Sequence, residues 1–158
     1  MVLRTISSKD NQAVERLVKS SLKEVGLAMK GTAYMDPQLS QLSQFYLDTP
    51  KSRFWVIEDE DEVVACGGYG PIEGVSDMGE LQKLYVRKDK RGQGLSKQLM
   101  DHILSHASQD YDYLYIETHH ILKEANSLYQ QYDFNQISRP LGHPEHSAMD
   151  CWYIKKLK

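Results

Sequence analysis

The sequence predicts an α/β (α+β) domain: a mixed central sheet of about seven strands flanked by about four helices. Three observations predict it. Short runs of alternating apolar residues are interleaved with runs whose apolar residues recur every three to four positions. The order of these runs is strand, two helices, three strands, helix, strand, helix, two strands. One run, Leu84-Tyr85-Val86, is apolar on both faces, which marks a central strand. This order builds helices onto a sheet as layers and departs from the strict alternation of a doubly wound nucleotide fold.

Val2 to Ile6 alternates and starts the chain as a strand. Ser7 and Ser8 offer N-cap oxygens to a helix carrying Ala13, Val14, Leu17, Val18 and Leu22, which runs to about Val25 and stops at Gly26. Leu27 to Met35 reads as loop. Asp36-Pro37 reads as an N-cap and first helical residue, opening a helix with Leu39, Leu42, Phe45 and Tyr46 that ends before Pro50. Phe54–Ile57 and Val63–Tyr69, joined by the acidic turn 59–62, form a hairpin, and Gly67 and Gly68 mark a bulge or a close backbone approach. Pro71 to Gly79 reads as a polar loop and Glu80 to Val86 as a strand. Leu95, Leu99, Met100, Ile103, Leu104 and Ala107 then define one helix face. Tyr113–Ile116 is a strand, Ala125, Leu128, Tyr129 and Tyr132 form a helical stripe, and Phe134–Ser138 and Cys151–Ile154 are the last strands.

The 158 residues suit one domain, 1–158, large enough to bury its own core. The composition, 41% hydrophobic and 26% charged, is that of a soluble globular protein. No apolar run approaches the roughly 18 residues of a membrane span, and MVLRTISSKD lacks a signal-peptide core. The expectation is a cytoplasmic protein without membrane attachment, with Cys66 and Cys151 as buried thiols. A net charge of −3 argues against nucleic acid as a partner, despite the short basic cluster Arg87, Lys88, Lys90 and Arg91.

That cluster leads into Arg91-Gly92-Gln93-Gly94 at a strand-to-helix junction. A helix N-terminus offers unpaired N–H donors and a partial positive charge. Glycines let the backbone wrap an anion, and an arginine adds a charge-assisted donor. The junction is therefore equipped for a phosphate or pyrophosphate, though a basic tight turn would use the same residues. Two phosphate loops are excluded by residue count. No Gly-x-x-x-x-Gly-Lys-Ser/Thr occurs, and Lys97 stands where Gly-x-Gly-x-x-Gly requires glycine.

Arg91-Gly92-Gln93-Gly94-Leu95-Ser96 resembles the coenzyme A pyrophosphate loop, Gln/Arg-x-x-Gly-x-Gly/Ala, of the GNAT superfamily of N-acetyltransferases. Ser96 departs from the pattern but is small. Glu80 to Val86 resembles the family's fourth strand. Ala125-Asn126-Ser127-Leu128-Tyr129, followed by Asp133-Phe134, resembles its Ala-x-x-Leu-Tyr-x-x-x-Gly-Phe helix. Asp133 replaces the glycine, as a residue able to enter a left-handed turn, and Leu122 stands where the family often has asparagine. The family's element order is the one read above, so the resemblance covers essentially the whole chain.

The resemblance implies transfer of the acetyl group of acetyl-CoA to an amine. It places coenzyme contacts at Leu84, Val86, Arg91, Gly92, Gln93, Gly94, Leu95, Ser96, Asn126 and Tyr129. Tyr129 matches the family's general acid for the departing thiolate. Glu80 matches the acidic residue that helps remove the acceptor's proton, directly or through water. A backbone N–H between Leu84 and Val86 would meet the carbonyl oxyanion. Tyr34, Glu80 and His119 are candidate acceptor contacts, and the loop 139–150, with Arg139 and His143, is a candidate cover for the cleft. No metal is predicted: His119, His120, His143 and His146 have no cysteine or carboxylate at recognised metal spacing. A small amine, amino-acid-like or polyamine-like, is the expected acceptor. An inactive acyl-CoA-binding module and a protein or peptide N-acetyltransferase are the alternatives. Cys151–Ile154 pairs either within the chain or across a homodimer.

Overall fold

The computed structural model describes residues 1–142 and 146–158; His143 lies outside the described residues. Seven strands form one sheet: β1 (Val2–Thr5), β2 (Arg53–Asp59), β3 (Glu62–Ile72), β4 (Val75–Val86), β5 (Tyr113–Thr118), β6 (Asn135–Ile137) and β7 (Cys151–Lys156). The order across the sheet is β1-β2-β3-β4-β5-β7-β6. Every neighbouring pair is antiparallel except β4 and β5, which run parallel.

Helices α1 (Asn11–Glu24) and α2 (Leu42–Asp48) cover one face of the sheet, with Val14, Leu17, Val18, Leu22, Leu42 and Tyr46 packed on Phe54, Val56 and Cys66. On the other face, α3 (Leu95–Asp110) and α4 (Lys123–Gln131) place Leu95, Leu99, Met100, Ile103, Ala107, Leu128 and Tyr129 against Trp55, Ile57, Ala65, Leu114 and Ile116. The stripes predicted from periodicity are these buried faces. Among the described residues, no helix is long and apolar enough to cross a membrane.

The expected polar loop 71–79 is largely strand. β3 continues to Ile72 and β4 begins at Val75, with Gly74 turning the chain at φ +80°. Proline is tolerated at position 71 because β2 pairs with β3 only as far as Arg53↔Tyr69. Beyond Tyr69 the outer side of β3 is an edge, where a missing N–H costs no ladder bond. The helix expected from Pro37 is also displaced: Leu39–Gln41 forms a separate 3-10 turn, and α2 starts only at Leu42. Asp36 is diverted from capping into a buried ion pair described below. Cys151–Ile154 pairs inside the chain, with β5 on one side and β6 on the other.

Gly68 is required by space. A Cβ there would lie 2.2 Å from the Arg53 carbonyl oxygen and 2.7 Å from the Phe54 ring. Backbone cannot yield as a flexible side chain can, so Gly68→Ala is expected to cost about 1–3 kcal/mol. Thermal unfolding checks this: the midpoint should fall by several degrees while the far-ultraviolet circular dichroism is retained.

Candidate active site

The site begins where two strands part. β4 and β5 pair at Met78↔Tyr113, Gly79↔Leu114 and Glu80↔Tyr115, and nowhere further along. β5 continues to Thr118 while pairing with β7, and β4 continues to Val86 while pairing with β3. Between them opens a cleft of about 460 Å³. One wall is Glu80–Val86; the other is Ile116–Thr118 with Ala125, Leu128 and Tyr129 of α4. Arg91, Gly92, Gly94, Leu95 and Ser96 line it further along. Arg87 N–H bonds to the Val64 carbonyl at 2.8 Å, which sets the phase of the ladder. By the alternation of an antiparallel pair, Val86 turns its backbone groups away from β3 and toward the opening, where its carbonyl accepts from Arg91 Nε.

β4 carries a bulge inside this wall. Cys66 faces Tyr85 and Gly68 faces Gln82, so Lys83 and Leu84 both stand opposite Gly67. Lys83 takes the left-handed conformation, φ +52°, as the first residue of a G1-type bulge does. The bulge resets which side chain faces which layer. Leu81, Leu84 and Val86 pack with α3. Gln82, accepting from the Tyr46 hydroxyl, and Lys83, paired with Asp36, face the α1 side together. Regular alternation would not put two adjacent polar residues on one face.

The glycine turn has the geometry its sequence suggests. Gly92 and Gly94 adopt φ +79° and +78°, and a Cβ at either would meet nothing within 4 Å. Glycine is needed there for its backbone freedom, and the space before the turn is open. The first hydrogen bond of α3 runs from Gln98 N–H to the Gly94 carbonyl at 3.1 Å. The N–H groups of Leu95, Ser96 and Lys97 therefore have no acceptor within the helix. Arg91 is already partnered: its Nε donates to the Val86 carbonyl at 3.1 Å, and its two terminal nitrogens bond both oxygens of Glu24 at 3.0 and 2.9 Å. This pair ties α1 to the turn and holds the Glu24 carboxyl below its usual pKa, chiefly through the Arg91 hydrogen bonds.

Tyr129 is buried on α4 and lines the cleft. Burial, with a smaller contribution from Tyr153, pushes its phenol above the ordinary value. Asp133 ends this helix at φ +63°, the left-handed turn expected of it. Glu80, Leu84, Val86, Arg91, Gly92, Gly94, Leu95, Ser96 and Tyr129 line one cleft. Gln93, Asn126, Tyr34 and His119 are not among the lining residues. Asn126 is committed to the scaffold: its Nδ2 donates to the His119 and Leu122 carbonyls, and its Oδ1 accepts from the Tyr153 hydroxyl at 2.6 Å. The Tyr34 ring lies 5.5 Å from Lys19 Nζ.

Two groupings were not legible from spacing. Pairing of β5 with β7 brings Asp150 to His119 and His120, with one potential ligand atom of each within 4.8 Å of the others; His120 N–H donates to Asp150 at 2.8 Å, and Ile121 N–H donates to His119 Nδ1 at 3.3 Å. Behind the cleft-lining residues Lys83 and His146 sits Asp36: Lys83 Nζ contacts its Oδ2 at 2.7 Å, and His146 Nε2 lies 2.9 Å from its Oδ1. These three residues come from sites 47 or more positions apart, so no local pattern announces them. Asp36 is held below its usual pKa by His146 and Lys83, against the opposing effect of burial.

The turn gives a direct check. Gly94→Ala introduces no clash, so the whole effect is backbone strain of about 1–2 kcal/mol. The expected outcome is a lowered unfolding midpoint with the far-ultraviolet circular dichroism retained.

Residues 50–136 match the model of the acetyltransferase (GNAT) domain family. YjgM of Escherichia coli (strain K12), an uncharacterized N-acetyltransferase, is 39% identical over 153 residues, covering 95% of this chain and 90% of that protein. N-acetyltransferase 8B of Homo sapiens is 30% identical over 120 residues; the match takes in 71% of this chain and 53% of that protein, so the chain spans about half its length. A crystal structure of a GNAT-family acetyltransferase from Staphylococcus aureus Mu50 superposes with a TM-score of 0.87 at 21% identity, covering 99% of both chains. The chain belongs to the GNAT superfamily and is an acetyl-CoA-dependent N-acetyltransferase.

Proposed function

We propose that the enzyme moves the acetyl group of acetyl-CoA directly to a primary amine of a small molecule, amino-acid-like or polyamine-like. The supporting observation is that the parted strands, the glycine turn, Tyr129 and Glu80 all line a single cleft. The turn and the N-terminus of α3 suit the pyrophosphate of the coenzyme. The Val86 N–H, on the cleft side of β4, and the Leu84 backbone beside it suit the amides of its arm and the thioester oxygen. Ala148 N–H bonds to the Gly31 carbonyl at 3.0 Å, joining the segment before β7 to the segment after α1 beside the cleft-lining residues Ala33, His146 and Met149.

The chemistry asks for three events. A neutral amine attacks the thioester carbon, the C–N bond forms, and the C–S bond breaks as thiolate departs. Tyr129 protonates that thiolate and regains a proton from the new amide nitrogen. Burial keeps the phenol protonated until the thiolate forms, and taking up the nitrogen's proton as it gives its own spares Tyr129 from resting as a buried phenolate. Glu80 receives the acceptor's ammonium and starts its deprotonation through water. Gln82 Nε2 fixes this carboxylate by donating to Oε1 at 2.9 Å.

Thiol release from acetyl-CoA across a panel of small amines tests the reading. Turnover on at least one amine is expected, and Tyr129→Phe should lower kcat about a hundredfold with acetyl-CoA affinity intact. Tight coenzyme binding without turnover on any amine would instead indicate a binding module.

A further inference from the structure

We propose that His146, oriented by Asp36, is the terminal acceptor of the proton that leaves the acceptor's ammonium. The inference rests on the transfer reading above and adds a residue to it. His146 lines the cleft, with a side chain 19% exposed. Its Nε2 is fixed on Asp36 Oδ1 at 2.9 Å, and Asp36 is fixed in turn on Lys83. Among the described residues, Nδ1 has no hydrogen-bond partner. A ring held by a carboxylate through one nitrogen, with the other nitrogen left to the cleft, is the arrangement of an oriented base.

The segment carrying the ring, 146–149, is held by backbone hydrogen bonds. Met149 N–H bonds to the His146 carbonyl and Ala148 N–H to the Gly31 carbonyl, each at 3.0 Å. Thr32 fixes the facing segment by donating to the Leu27 and Met29 carbonyls at 2.9 and 2.8 Å. Asp36 is thereby presented to His146 by ordered backbone. An imidazole is about two units more basic than a carboxylate. It lies closer to an alkylammonium and is the better final resting place for its proton at neutral pH.

The charges around the ring are Asp36, Lys83 and Glu80. Burial lowers the imidazole's pKa and so does Lys83; the Asp36 hydrogen bond and charge, with Glu80, raise it, and the balance is upward. In the catalytic sequence, the ammonium gives one proton to His146 through water held at Glu80. The neutral amine then attacks, and His146 returns the proton to solvent after product leaves. One proton is released per amide formed, as the overall reaction requires.

The experiment is the pH dependence of kcat at saturating acetyl-CoA and saturating amine, over about pH 5 to 9. The wild type should show a rising limb at the imidazole's pKa. Following the His146 imidazole by NMR in the wild type should show it titrating above the ordinary histidine value. His146→Gln should lose this limb and lower kcat about a hundredfold, with acetyl-CoA affinity intact as the check on folding. Glu80→Gln should lower kcat and raise KM yet keep a limb, moved to lower pH because the Glu80 charge also raises the imidazole's pKa. Asp36→Asn removes the largest raising influence, so its limb should move to lower pH. If His146→Gln retains the limb and a rate within about twofold of wild type, His146 is not the base. If Glu80→Gln alone abolishes the limb, the proton belongs to Glu80 and the proposal is likewise overturned. Absence of amine turnover in the wild type defeats the transfer reading itself and takes this one with it.

Discussion

The parting of β4 from β5 after Glu80↔Tyr115 is the constraint from which the rest of this site follows. A parallel pair that stops midway leaves peptide groups of both strands without ladder partners. In a core such groups are costly unless something else bonds them. β5 pairs with β7 on its far side along its whole length, Tyr113↔Lys156 to Thr118↔Cys151, so past Tyr115 its near side opens on the cleft. β4 has β3 on one side and the cleft on the other. On that cleft side the Val86 carbonyl accepts from Arg91 Nε, which ties the glycine turn to the strand. The same parting admits α4, so that Tyr129 reaches the cleft from the layer opposite α1.

The bulge at Lys83 makes this wall chemically two-sided. Leu84 and Val86 continue the apolar layer under α3, while Gln82 and Lys83 add polar groups to the face that α1 and the Asp36 segment cover. A lysine with a side chain only 5% exposed needs a counter-charge. Asp36 supplies it and is shared with His146. The cleft therefore has unlike ends. One is a helix N-terminus with open glycines, suited to phosphate; the other is a buried charged triad, suited to handling an acceptor's proton. Arg91, bonded to both Val86 and Glu24, links the first end to α1.

Much of this architecture follows from local pattern. The helix stripes of α1 and α3 announce their buried faces through three-to-four-residue spacing, because a helix repeats every 3.6 residues. Gly92 and Gly94 announce a left-handed turn, and Tyr129 stands at its motif position on a predicted helix. The failures are equally local in origin. Pro71 and the polar run after it argue against strand unless it is known that β2 stops pairing at Tyr69. Asp36 before Pro37 looks like a helix cap because the sequence does not show Lys83 waiting across the cleft.

The sequence by itself determined the order of elements, the two buried helix faces, the glycine turn and the family to which the chain belongs, because each depends on residues within one turn or one strand. The tertiary structure alone decided that β4 bulges and parts from β5, that Arg91 is bound to Glu24, that Asn126 is spent on the scaffold, and that Asp36, Lys83 and His146 converge. Those outcomes depend on pairs separated by tens of residues. Only the register of the sheet and the packing of loops upon it bring such partners within a hydrogen bond's reach.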